Sequence, residues 1–362
     1  MAIALCPAYP VTSCCYVAHT VTLKTLTETL AWLVDIPSET GNEQAIRDAL
    51  AQRLDGLPQR TIANSLVVGD PGPGKVALLG HTDTVPLQGH VGARIEDGRL
   101  HGLGATDMKG GLAVMVHLLE DKGTDHLVGV FYAGEEGPLS GNDLGHVLDE
   151  VPSLAQIEAG IVMEPTNREV HAGCQGSINA RVTFLGESGH SARPWRSVNA
   201  VTRAGTFLTM MDGLKPEPHP IEGLVFKEVM SVTRASGGVA NNIIPGRFDL
   251  NVNYRFSPDR TIDQAVEHLR EFCRGADEFE VVDSAPSAYP DTNHPLFALL
   301  IDTAGTGVAH KQGWTDVAQL AERGISGINF GPGETALAHK PGESIDLEDL
   351  TWTYDILDRI LT

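Results

Sequence analysis

Four short apolar runs, each leading into polar or acidic residues and three of them through glycine, constrain what this chain can fold into. Lys75-Val76-Ala77-Leu78-Leu79 runs into Gly80-His81-Thr82-Asp83-Thr84-Val85-Pro86. Leu127-Val128-Gly129-Val130-Phe131-Tyr132-Ala133 runs into Gly134-Glu135-Glu136-Gly137, and Ile161-Val162-Met163 into Glu164-Pro165-Thr166. Residues 324–330 run into Gly331-Pro332-Gly333 and then Ala338-His339-Lys340-Pro341-Gly342-Glu343. Unbroken apolar runs of this length read as strands buried on both faces. Helical spacing appears between them. Residues 23–34 carry Leu26, Leu30, Leu33 and Val34, with Pro37 beyond. Residues 42–54 carry Ala45, Ile46, Ala49 and Leu50 as the buried stripe behind Asn42 as N-cap, and residues 112–119 form a third helix. Strands alternating with helices predict an α/β fold with a mostly parallel sheet and flanking helices. In open sheets of this kind ligands bind outside the carboxyl ends of the strands. The polar residues gather at those ends.

From about residue 176 the texture changes. Residues 177–185, 225–233, 248–256 and 279–282 read as half-exposed strands, and 199–211 and 261–273 as helices. Phe248, Leu250, Val252 and Tyr254 fall on one side of their strand. Two strand–helix–strand units in succession predict a small ferredoxin-like α+β domain with helices on one face, inserted into the larger one. The expected division is a catalytic domain of residues 21–176 and 285–362, an inserted domain of 177–284, and a disordered extension of 1–20.

The formal charge is −21, from 26 basic and 47 acidic residues. That excludes nucleic acid and anionic membrane surfaces as natural partners. The cysteines at 6, 14, 15, 174 and 273 form no CxxC pair. Together with the lack of an apolar run of about 20 residues, this predicts a cytoplasmic protein.

Five candidate ligands stand at strand ends or at a helix entrance: His81, Asp107, Glu136, Glu164 and His339. Taken alone, His81 and Asp83 also read as a loop histidine beside a turn aspartate. Two residues apart on an extended chain, they point the same way, so Asp83 can support the His81 ring. Two histidines and three carboxylates suit zinc, or cobalt or manganese. Five protein ligands exceed one tetrahedral ion and fit two ions if one carboxylate bridges. Asp107, in the glycine-lined loop before a helix, is the natural bridge. Glu135, diverging from Glu136, is the candidate general base and acid.

His-Thr-Asp at 81–83, Gly-Ala-Thr-Asp-Met-Lys-Gly-Gly at 104–111, Gly-Glu-Glu-Gly at 134–137, Met-Glu-Pro-Thr at 163–166 and Ala-His-Lys-Pro-Gly-Glu at 338–343 occur in that order. This set resembles the zinc aminoacylase/carboxypeptidase family from about residue 23 to the C-terminus. The resemblance implies two zinc ions, one held by His81 and Glu164 and the other by Glu136 and His339, with Asp107 bridging. It implies a cis peptide after Asp107 and counts Asp83 with Glu135 in the catalytic set. The inserted domain resembles the family's dimerisation or lid domain, which implies a homodimer. Gly-His-Ser-Ala-Arg-Pro at 189–194 matches the motif whose histidine, here His190, reaches the partner subunit's site and polarises the scissile carbonyl. Asn242, Arg255, Thr315 and Gly333 are the implied substrate contacts. Arg255 would grip a carboxylate, or else form a surface ion pair.

The runs at 173–177, 190–195 and 311–316 resemble the actinobacterial-type desuccinylases of that family. The implied substrate is N-succinyl-LL-2,6-diaminopimelate. N-acetylornithine, or a broader set of N-acyl amino acids, is the alternative, and a metal-poor binding protein is an alternative of another class. One departure stands out. Many desuccinylases have Arg-Arg where this chain has Cys174-Gln175, leaving Arg193 or Arg196 to compensate.

Overall fold

The computed structural model describes residues 21–86, 89 and 92–361. The extension expected at 1–20 lies outside the described residues. An eight-stranded sheet runs in the order Gln59–Ile62, Ser65–Val68, Leu127–Tyr132, Val76–His81, Ala159–Val162, Gly327–Asn329, Val170–Cys174, Val308–Lys311. Its centre is parallel: Val76–His81 pairs with Leu127–Tyr132 on one side and Ala159–Val162 on the other, and Gly327–Asn329 continues in the same sense. Every residue of the two long central strands is buried, because helices cover both faces. Leu78 and Ile161 pack into one core with Leu30, Leu112 and Leu357. Their neighbours Ala77, Leu79 and Val162 pack into the other with Val147 and Leu320. The period of two along the strands divides the side chains between the cores.

The helix Leu23–Val34 begins at a capping box in which Thr22 and Thr25 each accept the other's backbone N–H. The second helix is Gln44–Arg53. Asn42 does not cap it, and Ala45 is exposed. Glu43 takes the N-cap position, and its carboxylate accepts from Gly41 N–H at 2.6 Å. The run expected at 199–211 divides into Ala200–Arg203 and Gly205–Asp212, where Gly205 weakens helical continuity.

Strands Glu217–Ile221, Leu224–Gly237, Arg247–Phe256, Gly176–Leu185 and Glu278–Ala285 form a second, five-stranded antiparallel sheet in that order. Phe248, Leu250, Val252 and Tyr254 point to its core with Phe207 and Leu269 from the helices, as the alternation predicts. Gly176–Leu185 follows Val170–Cys174 of the large sheet after the single residue Gln175. Val170–Cys174, Val308–Lys311 and the helices Pro295–Ala304 and Leu347–Ile360 add to the elements read from the sequence.

Candidate metal and hydrolytic site

His81 is the last residue of its strand, Glu135 and Glu136 follow Leu127–Tyr132, and Glu164 follows Ala159–Val162. Asp107 departs from the strand-end rule. It sits in the turn Ala105–Lys109 that enters the helix Gly110–Lys122, and the peptide that follows it, Asp107–Met108, is cis. Gly104 opens this turn at φ 76°, and a Cβ there would lie 2.8 Å from the Thr84 methyl. Glycine is required for both reasons. Glu343 holds the turn from below: its carboxylate accepts from Gly104 N–H at 3.0 Å, Thr106 N–H at 3.0 Å and Asp107 N–H at 3.1 Å.

The five predicted ligands converge. His81 Nε2 lies 3.2 Å from Asp107 Oδ1 and 3.6 Å from Glu164 Oε1. His339 Nε2 lies 3.4 Å from Asp107 Oδ2 and 2.9 Å from Glu136 Oε1. Each oxygen of Asp107 therefore faces its own histidine and glutamate. Charge follows the same division. Asp107 and Glu136 push His339 up to about 10, and Asp107, Asp83 and Glu164 hold His81 well above the imidazole range despite its burial. Burial opposes ionisation of Asp107, yet the two rings hold it well below the carboxylate range. The cluster demands positive charge, and its nitrogen and oxygen donors are those of a divalent cation site. His81, Asp107 and Glu136 each bring one donor atom to within 4.8 Å of the others.

Asp83 works differently from expectation. The His81 Nδ1 is 3.0 Å from the Asp83 backbone carbonyl and 3.5 Å from its carboxylate, so the carbonyl is the closer support. The carboxylate itself accepts from Glu135 N–H and Glu136 N–H, both at 3.1 Å, and from Thr40 Oγ1 at 2.9 Å. It fixes the backbone of the two glutamates. Burial raises Glu135 well above the carboxylate range, and the neighbouring carboxylates of Glu164, Asp316 and Glu136 add to the rise. Lys311, which the motif reading left without a role, donates to Glu164 Oε2 at 3.2 Å. Its signal lay in the Lys-Gln-Gly-Trp-Thr-Asp run at 311–316. The signal for Glu343 was the end of the His339 motif.

A cavity of about 440 Å³ opens on the cluster, lined by Glu135, Glu164, His171, Lys311, Trp314 and His339 among others. The implied substrate contacts are placed unevenly around it. Arg255 makes no surface ion pair; its Nε donates to Asn253 at 3.1 Å, and it lies within the electrostatic reach of Glu135. Thr315 is buried behind the cavity wall and its hydroxyl has no partner. Gly333 is a packing position, since a Cβ on it would meet Thr106 Oγ1 at 2.2 Å. His190 and Asn242 do not line the cavity of their own chain. His190 lies in a small two-stranded sheet with Ile243–Ile244, and just outside it Ser191 N–H donates to Asn242 O at 3.0 Å.

Comparisons with known proteins agree with this arrangement. A homologue from Mycobacterium tuberculosis is 36% identical over 343 residues, 92% of this chain and 97% of its own. The succinyl-diaminopimelate desuccinylase of Corynebacterium glutamicum is 35% identical over 347 residues, 91% of this chain and 94% of its own. An acetylornithine deacetylase from Myxococcus xanthus is 30% identical over 320 residues, 81% of each chain. Among solved structures, a tripeptidase from Staphylococcus aureus superposes with a TM-score of 0.77 at 21% identity, over 94% of this chain and 98% of that one. The model of Peptidase family M20/M25/M40 matches residues 77–362, which contain all five convergent ligands, and the chain belongs to that family of hydrolases.

Proposed function

We propose that this hydrolase cleaves the amide of an N-acyl amino acid, with N-succinyl-LL-2,6-diaminopimelate as substrate and succinate and LL-2,6-diaminopimelate as products. The observation that carries the reading is the division of Asp107 between two histidine–glutamate pairs. His81 and Glu164 would hold one zinc ion, Glu136 and His339 a second, and Asp107 would bridge; cobalt or manganese suits the same donors. Divalent cations in these positions supply Lewis acidity to the amide carbonyl and lower the pKa of water. Glu135 takes the proton from the attacking water and returns it to the leaving nitrogen. Its elevated affinity for protons, set by burial, suits a group that must hold one between those steps. Asp83 keeps Glu135 and Glu136 diverging by gripping both backbone N–H groups. Arg255 is free to take a carboxylate of the amino-acid half.

His190 and Asn242 fit a role in the site of a partner subunit, with residues 177–284 forming the dimerising lid and 21–176 with 285–362 the catalytic domain. We assign the protein to the cytoplasm. Cys174 and Cys273 are free thiols, and among the described residues no helix is long and apolar enough to cross a membrane. The Myxococcus relative makes N-acetylornithine the second candidate substrate. Metal-loaded protein and its Glu135→Gln variant, assayed on both compounds, decide between them. Turnover of the acetyl compound alone refutes the desuccinylase reading, and undiminished turnover by the variant refutes Glu135 as the base.

A further inference from the structure

The arginines offered in place of the missing Arg-Arg pair do not line the cavity of their own chain. Arg193 and Arg196 are exposed beside the His190 strand and line none of its wall. Two other donors do. Lys311 is 7% exposed, and its ammonium group donates to Glu164 Oε2 at 3.2 Å and Pro165 O at 3.1 Å. An ammonium group carries three hydrogens, so one remains for the cavity. His171 is 5% exposed, and its Nδ1 has no hydrogen-bond partner. Its Nε2 lies 3.6 Å from Glu169 Oε2. The two residues stand on neighbouring parallel strands, Val170–Cys174 and Val308–Lys311, at the edge of the large sheet. Burial, then the charges of Lys311 and His310, press His171 down to about 3. Beside the Glu164 and Glu169 carboxylates the Lys311 ammonium group keeps one hydrogen for the cavity, and among the described residues the buried His171 Nδ1 is left unpaired. Native interiors rarely tolerate that without a ligand or water to satisfy it.

We propose that Lys311 and His171 form a subsite for a carboxylate on the acyl half of the substrate, selecting a dicarboxylic over a monocarboxylic acyl group. The proposal rests on the amide hydrolysis described above. Lys311 touches Glu164, one side chain away from His81 and the reacting centre. A succinyl carboxylate, tethered by two methylenes to the scissile carbonyl, has a correspondingly short reach. Arg255, in the field of Glu135, remains for the amino-acid half.

The test compares N-succinyl and N-acetyl derivatives of one amino acid with metal-loaded wild type, His171→Leu and His171→Gln. Loss of a hydrogen bond to a charged group predicts an about 10- to 100-fold fall in the succinyl-to-acetyl ratio of kcat/KM for the leucine variant, carried by KM. Glutamine, which keeps a donor, restores part of the ratio. Should the leucine variant not fold, His171→Phe keeps the ring volume and carries the same expectation. Equal losses on both substrates overturn the subsite. A wild type that turns over only the acetyl compound refutes the desuccinylase reading instead. Calorimetric titration of succinate against propionate then decides the subsite: tighter succinate binding that His171→Leu abolishes supports it, and no preference in the wild type overturns it.

Discussion

Replacing Asp83 with asparagine isolates the part of the site that holds its base in place. The Asp83 side chain is fully buried and serves four neighbours: the Glu135 and Glu136 N–H groups, the Thr40 hydroxyl and the His81 ring. Asparagine preserves the shape but offers one acceptor oxygen and one NH2 group, so one of the two glutamate N–H groups then faces a donor. The loss is one charge-assisted hydrogen bond, about 1.5–3 kcal/mol, plus part of the cost of an orphaned buried donor, about 1–3 kcal/mol. These overlap, and a combined 2–4 kcal/mol is the working figure. Expressed in the placement of Glu135, that lowers kcat about 30- to 1000-fold with KM little changed. Steady-state kinetics at fixed metal loading, with bound metal measured alongside, provide the assay. A kcat within about threefold of wild type at full metal content would refute the argument that Asp83 acts through the Glu135–Glu136 backbone.

Asp107→Asn should lower bound metal from two ions per chain toward one or none by elemental analysis, because both histidine–glutamate pairs share that carboxylate; two retained ions would contradict the bridge. If His190 serves the partner's site, an equimolar mixture of inactive His190→Ala and Glu135→Gln proteins, after subunit exchange, should recover about a quarter of wild-type activity; no recovery would show that His190 does not act across the dimer. Lys109, whose ammonium donates to Ile36 O at 2.8 Å, is pressed by burial to about 8. The folded chain therefore releases this proton before the unfolded chain does. Between about pH 8 and 10.5 the unfolded state binds more protons, so stability should rise with pH by up to about 1.4 kcal/mol per unit. Chemical denaturation of Lys109→Met across this range should lose that rise.

The candidate ligands that converge could be picked out from one dimension because each motif is local. An apolar run buried on both faces must be a strand, and the residues just past its end must meet solvent or a ligand. Period-two alternation likewise placed Phe248, Leu250, Val252 and Tyr254 on the core side. The local signal misplaced the start of the second helix: Asn42 is an able cap, but Glu43 holds the N-cap position without a side-chain cap and turns its carboxylate to Gly41 N–H.

Only the tertiary structure decided that Asp83 grips backbone rather than chiefly the ring, and that Lys311 stands behind Glu164. Those contacts join residues far apart in the chain; Glu343 reaches Gly104 across 239 positions, and Lys311 reaches Glu164 across 147. Strand order and register set such distances, and they arise from packing all the strands at once. A sequence specifies which groups can carry charge and where each strand ends. The sheet decides which of those ends become neighbours, and it gathers buried carboxylates and two histidines into one candidate cation site.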